Sequence, residues 1–141
     1  MNLKQKELVQ SSFAMVVPIA DTAADLFYDR LFELDPALRP LFKGDLKEQK
    51  KKLMQMLGAA VRGLDDLQAL APVVRDLGAR HNGYGVRDEH YDTVASALLW
   101  TLEKGLGEAF TAETKEAWGA VYGVLSSTMK DGARSAMAAG R

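Results

Sequence analysis

The placement of proline most constrains how this chain can fold. All four prolines lie within the first 72 residues, and the 69 residues that follow contain none. Proline inside a helix removes a backbone hydrogen bond, so the second half is free to form long helices. Ala and Leu number 39, whereas Val, Ile and Thr number only 17, which favours helix over strand. The sequence predicts one all-α domain over residues 1–141, with fraying after about residue 131.

Composition excludes several classes of function. The chain has no cysteine, which removes disulfides, zinc–thiolate sites, thiol nucleophiles and covalent haem attachment. Its formal charge of −1 argues against a dedicated binder of duplex DNA or of anionic membranes. No apolar run approaches the ~18 residues of a membrane span. The first ten residues lack the apolar core of a signal peptide, so we expect a cytoplasmic protein.

Apolar spacing and breaker residues divide the chain into helices. A short turn is expected after Asp35-Pro36, and a loop in the segment HNGYGVRD. Asp88 and Thr111 are the expected N-caps of the last two helices. The predicted helices cover approximately residues 3–17, 20–34, 45 to 61 or 64, and 89–106. A fourth helix has its clearest part at 72–81, and the last helix runs from 112 to 129 or beyond.

Three polar side chains fall on otherwise apolar helix faces. Tyr28, Gln49 and His81 each share a face with aliphatic residues three or four positions away. A buried polar group without a partner costs roughly 1–3 kcal/mol, so each needs one. A core or capping histidine is the commoner reading of such a position. Periodicity alone therefore also fits a helical sensor or an interaction domain without a cofactor.

Five segments in order resemble the globin family, above all bacterial single-domain globins, the haem domain of flavohaemoglobins, and neuroglobin. Together they cover most of the chain from residue 20 to 130. They are LFYDRLFELDPALRPLF, KKLMQMLGAAV, LGARHNGYGV, HYDTV and AWGAVYGV. The resemblance implies a globin fold of about seven helices, in a three-over-three sandwich around a b-type haem, without a separate D helix.

The resemblance also implies a set of site residues. His81 is similar in position to the proximal histidine that binds the haem iron, and a neutral imidazole is the axial ligand that a b-type haem needs. Tyr28 and Gln49 correspond to distal residues that donate hydrogen bonds to bound O₂. His90 is expected to be solvated or to cap a helix. The other residues assigned to the haem pocket are Phe42, Lys52, Leu53, Tyr84, Val86, Tyr91 and Val94.

Lys52 belongs to a basic run, KEQKKK, that has several readings. A solvated helix face is the simplest, and docking of an electron donor is another. The run lacks interleaved aromatic residues, so we reject nucleic-acid binding. The resemblance places Lys52 at the pocket rim, where it would meet a haem propionate, with Lys43, Arg80 and Tyr84 as weaker candidates.

The implied activity is reversible O₂ binding with tight retention. O₂, NO, CO and other small haem ligands are the expected partners, and conversion of NO to nitrate is the expected physiological chemistry. Flavohaemoglobins carry a proximal glutamate where this chain has Ala133, so a strongly anionic His81 is not expected. The sequence has no Gly-rich phosphate motif, so the electrons would come from an external reductase. A sensor of O₂ or redox state is the alternative, besides the non-haem domain.

Overall fold

The computed structural model describes residues 2–42, 45–83 and 87–138, which contain helices and no strands. The α-helices are α1 (Leu3–Val16), α2 (Ala20–Leu34), α3 (Leu46–Gly63), α4 (Leu67–Gly83), α5 (Asp88–Leu106) and α6 (Ala112–Ala138). Short 3-10 segments cover Val17–Ile19, Pro36–Leu41 and Gly107–Ala109. The predicted all-α class is confirmed. Within the described residues, no helix combines the length and the apolar character needed to cross a membrane.

Local sequence signals account for most helix ends. Pro36 is the first residue and Pro18 the second residue of a 3-10 segment that follows the end of an α-helix. The Asp45 side chain accepts the N–H of Lys47 and so caps α3. Gly107 follows α5 with φ of +57°, a conformation that costs glycine little. The Thr111 hydroxyl accepts the N–H of Thr114, which confirms the predicted cap of α6.

Three predicted boundaries differ from the structure. The helix α4 continues through His81 to Gly83, so the predicted loop begins too early. Asp88 is not the N-cap of α5, because the helix begins at that residue and Arg87 precedes it in extended conformation. The backbone N–H of Arg87 donates instead to Nδ1 of His90 at 2.9 Å, which confirms the capping role of His90. The helix α6 extends to Ala138, well past residue 131.

The main core lies where α1, α2, α5 and α6 meet. Val9, Leu31 and Val121 are its largest fully buried side chains. The indole of Trp118 donates a hydrogen bond to the Ser12 hydroxyl at 2.8 Å, which links α6 to α1 inside the core. Leu31 shares this core with Tyr28 on the same helix. The core thus fixes α2, which carries the first of the predicted site residues.

The helix α4 lies outside this arrangement and packs chiefly against α6. The separation between the end of the 3-10 segment at Leu41 and the start of α3 at Leu46 is short, as predicted. Apart from Phe42, the described residues predicted for a site thus lie on α2 and α3, which contact each other, and on α4 and α5.

Candidate functional site

Tyr28 lies in a buried corner between α2 and α3. Only 4% of the residue is exposed, and its hydroxyl lies 3.4 Å from the backbone carbonyl oxygen of Gln49, to which it donates. A bond of this length is weak. Burial raises the pKa of Tyr28 to about 12, because a phenolate would lose its solvation. The phenol therefore stays neutral at pH 7 and keeps a proton to donate.

Three aromatic rings pack against Tyr28. Phe27 and Phe42 meet its ring edge-on, with centroids 5.1 and 5.4 Å away. The ring of Phe32 lies 5.9 Å away in a tilted arrangement and also meets Phe42 edge-on. Such pairs add about 0.5–1.5 kcal/mol each beyond the area that they bury. We call Phe27, Phe32 and Phe42 the aromatic cage of Tyr28.

The predicted distal residues therefore come together in part. Gln49 is half-buried, and its backbone lies against the Tyr28 hydroxyl. Leu53, one turn further along α3, is half-buried and packs against the core. It also lines an apolar pocket with Phe27 and Trp118. The structure thus places an aliphatic side chain, a buried hydroxyl and an amide-bearing residue on adjoining helices.

His81 lies on α4 and is half-buried. Its Nδ1 is 2.8 Å from the carbonyl oxygen of Leu77, one turn earlier in the same helix. A carbonyl only accepts, so Nδ1 carries the proton and the lone pair of the neutral ring is on Nε2. Burial lowers the pKa of His81, and the hydrogen bond to Leu77 opposes this to a smaller extent. The ring is consequently held in the neutral form that metal ligation requires.

Tyr91 and Val94 lie on α5, and Tyr91 is the more deeply buried of the two. The Tyr91 carbonyl oxygen accepts a hydrogen bond from the Tyr122 hydroxyl at 2.6 Å. The ammonium group of Lys130 lies 5.5 Å from the centroid of the Tyr91 ring. At the position expected for a flavohaemoglobin glutamate, Ala133 is buried. Lys130 on α6 thus places a positive charge beside Tyr91, one helical turn before Ala133.

The basic run on α3 is largely a solvated face, as its simplest reading predicts. Lys51 and Lys52 are exposed. Lys50 forms an ion pair with Asp25 on α2 at 2.8 Å and so joins the two helices. The predicted rim position of Lys52 is compatible with its exposure.

Three predicted residues, Lys43, Tyr84 and Val86, lie outside the described residues. No group of three or more His, Cys, Asp or Glu side chains is arranged to hold a metal ion within the described part of the chain.

Sequence reasoning missed two features of the site. Phe32 belongs to the aromatic cage, and its spacing of four residues from Tyr28 is a helical signal that could have identified it. The contact of Gly78 with α6 was also missed. It depends on which helices cross, which one sequence does not specify.

A family profile and several known proteins match most of this chain. The family profile described as Globin matches residues 25–129. Neuroglobin of Tetraodon nigroviridis is 32% identical, over 92% of this chain and 90% of its own length. The flavohemoprotein of Bacillus subtilis is also 32% identical, over 87% of this chain but only 32% of its own length. The chain therefore spans about a third of the flavohemoproteins that it matches.

A solved structure matches nearly the whole chain. It is an engineered carbene transferase, a presumed nitric oxide dioxygenase from Rhodothermus marinus. The TM-score is 0.89 at 25% sequence identity, with 99% of this chain and 97% of that one covered.

Proposed function

Because this chain belongs to the globin family, we propose that it binds a b-type haem through His81 and uses Tyr28 and Gln49 to retain O₂. We further propose that it supports conversion of NO to nitrate with electrons from an external reductase. Membership of the family implies the haem cofactor itself. The buried, neutral hydroxyl of Tyr28 beside Gln49 is the observation that carries the rest.

The donor set of the structure fits haem. His81 offers a neutral imidazole with Nδ1 already bonded to Leu77, which orients the ring as second-shell bonds do for metal-bound histidines. Phe42 and Leu53 supply half-buried apolar surface near Tyr28. Without cysteine, no thioether link can form, which supports a b-type cofactor. In this arrangement His81 would hold the group through its imidazole, and Phe42, Leu53 and Val94 would supply apolar lining.

Bound haem supplies an iron centre that takes up O₂ and other diatomic ligands. Tyr28 would serve as a hydrogen-bond donor there, because its pKa of about 12 keeps the proton in place. The weak 3.4 Å bond to the Gln49 carbonyl allows the hydroxyl to rotate toward a ligand. A donor in a dry site is worth more than in water, and it favours ligands that carry partial negative charge. This selects O₂ over CO and slows its escape.

Retention of O₂ suits the oxidation of NO. The overall reaction joins NO, O₂ and one electron to give nitrate, so it consumes one reducing equivalent for each NO. The solved structure of a presumed nitric oxide dioxygenase supports this assignment, and the flavohemoprotein relatives support a reductase partner. Tyr28 and Gln49 would keep O₂ in place until NO arrives. Lys52, at the rim of the haem pocket, would meet a propionate of the haem.

Two experiments test the proposal. Titration of the apoprotein with hemin should saturate at one equivalent and produce a Soret band, whereas absence of a band would leave a non-haem helical domain. NO consumption with a reductase should then be at least about tenfold slower in Tyr28→Phe, the scale expected when a charge-stabilising donor is lost. Equal rates in the two proteins would contradict the role of Tyr28. Steady O₂ binding without NO consumption in either protein would favour O₂ storage or sensing.

A further inference from the structure

Two glycines allow α4 and α6 to meet backbone to backbone. A methyl group built on Gly78 of α4 would overlap the carbonyl oxygen of Met129 on α6. Reciprocally, a methyl group on Gly132 of α6 would overlap the carbonyl oxygen of Arg75 on α4. The obstacles are backbone atoms, so they cannot move aside as a flexible side chain would. We call the contact of Gly78 with Met129 and of Gly132 with Arg75 the glycine crossing.

Space, and not backbone conformation, requires these glycines. Both lie inside α-helices, and Gly107 is the only described residue with a positive φ. Glycine in a helix interior costs about 0.8–1.0 kcal/mol relative to alanine, so neither glycine favours its own helix. On the same helix α6, a methyl group added at Gly119 or Gly123 would have no neighbouring atom within 4 Å. Overlap with the neighbouring helix therefore occurs at Gly78 and Gly132 but not at Gly119 or Gly123.

The crossing lies close to the proposed iron ligand. His81 follows Gly78 by three residues, which places the two about one turn apart on α4. The helix α4 packs chiefly on α6, and its contact with α3 is small. A side-chain link reinforces the same pair of helices, since the Arg75 guanidinium donates to the Ser135 hydroxyl at 3.1 Å. The position of α4, and of the imidazole that it carries, is thus set by α6.

We propose that Gly78 and Gly132 are positioning residues that set the depth and tilt at which His81 meets the haem. The inference rests on the proposed ligand role of His81. A methyl group at either glycine pushes α4 away from α6 and carries the imidazole with it. The bond between His81 and iron would be sensitive to such displacement, since loss of the groups that orient a metal-bound histidine typically weakens metal binding by about 10- to 100-fold.

Gly132→Ala tests the proposal, with Gly119→Ala and Gly123→Ala as matched controls on the same helix. In hemin-loaded Gly132→Ala we expect the hemin dissociation rate to rise about tenfold or more. We also expect the iron–histidine stretching band of the reduced protein to shift in the resonance Raman spectrum. The two controls should leave both readouts at their wild-type values and raise the melting temperature slightly, because alanine favours the helix.

The outcomes separate this inference from the proposed function. An iron–histidine band that persists after His81→Gly would overturn the proposed ligand, and this inference with it. A band that depends on His81 but is unchanged in Gly132→Ala, with an unchanged dissociation rate, would overturn the inference alone.

If Gly132→Ala does not fold, hydrogen exchange of the wild-type holoprotein replaces it. Amides of residues 75–81 should then be protected together with those of residues 125–132. Rapid exchange in α4 beside a protected α6 would show that the crossing does not hold the helix, and would refute the proposal.

Discussion

The two sides of the candidate site are built differently. On α2 and α3, Tyr28 is held by large side chains, namely its aromatic cage and the core around Leu31. On α4, His81 belongs to a helix that is held through the absence of side chains at Gly78 and Gly132. Interdigitated side chains lose stability when atoms are removed, because a cavity remains. A close contact between two backbones loses stability when atoms are added, because the added atoms overlap with it. The same domain should therefore respond to opposite kinds of mutation on its two sides.

Truncation on the α2 side gives the largest expected effect. Leu31 is 1% exposed, so Leu31→Ala leaves a cavity and should lower the free energy of unfolding by about 2–5 kcal/mol. Urea unfolding of the apoprotein measures this. Leu34→Ala is the matched control on the same helix, since Leu34 is 41% exposed and its loss should cost well under about 1 kcal/mol. Equal losses would show that the α2 side does not depend on side-chain packing.

A smaller change to the aromatic cage should affect ligand retention more than stability. Phe32→Leu keeps an apolar side chain but removes the ring that lies against both Tyr28 and Phe42. We expect O₂ to dissociate about threefold to tenfold faster, because aromatic pairs worth about 0.5–1.5 kcal/mol each then no longer fix the phenol. Stopped-flow release of O₂ measures the rate. If the rate does not change, the cage does not position Tyr28.

These two sides also differ in how far one sequence could predict them. The bounds of α2 match the predicted 20–34, because Pro18, Asp35-Pro36 and the apolar stripe around Leu31 are local signals. The capping role of His90 and the cap at Thr111 were predicted for the same reason. The continuation of α4 beyond His81 was not predicted. The tail was expected to fray after about residue 131, whereas α6 continues to Ala138. At these two helix ends, the packing of α4 against α6 outweighs the low helix propensity of glycine and the weak local signals for the end of a helix.

The residues of the candidate site also differ in how far the sequence could predict them. Helical spacing identified Tyr28, Gln49 and His81 as polar residues on apolar faces, and the resemblance to globins implied their roles. The structure brings the helices of Tyr28 and Gln49 together. The resemblance to globins singled out His81, whose bond to Leu77 and lowered pKa fit that role. The glycine crossing escaped prediction because a glycine in a helical pattern is uninformative until its neighbour across the interface is known. Phe32 escaped it because a half-buried phenylalanine resembles any other core residue.

Acid should destabilise the folded apoprotein in part through His81 on α4. The pKa of His81 is lowered by burial from the ordinary value of 6.5, so below that pH the unfolded chain binds more protons than the folded apoprotein. The contribution of His81 to stability is therefore present above pH 6.5 and is lost as the pH falls. Urea unfolding of the apoprotein near pH 7.5 and pH 5.5 should show a loss that is smaller in His81→Gln. Equal pH dependence in the two proteins would argue against a buried, neutral His81.

Substitution of Lys52, at the predicted rim of the haem pocket, should have the smallest effect of these variants. Lys52 is exposed, and an exposed ion pair is worth about 0.2–1 kcal/mol. Lys52→Gln should therefore raise the hemin dissociation rate by no more than about fivefold at low salt, and less at high salt. Its exposed neighbour Lys51 carries the same charge, so Lys51→Gln is the matched control and should have almost no effect. Identical changes in both variants would indicate a general charge effect and not a propionate contact.

The bond between His81 and iron is the central claim, and rescue by a small ligand tests it most directly. His81→Gly should bind hemin weakly and lose the wild-type Soret and iron–histidine bands, because the variant has no axial imidazole. Added free imidazole should restore both bands, since it can enter the space that the side chain leaves. A His81→Gly protein with the wild-type spectrum before imidazole is added would contradict the account.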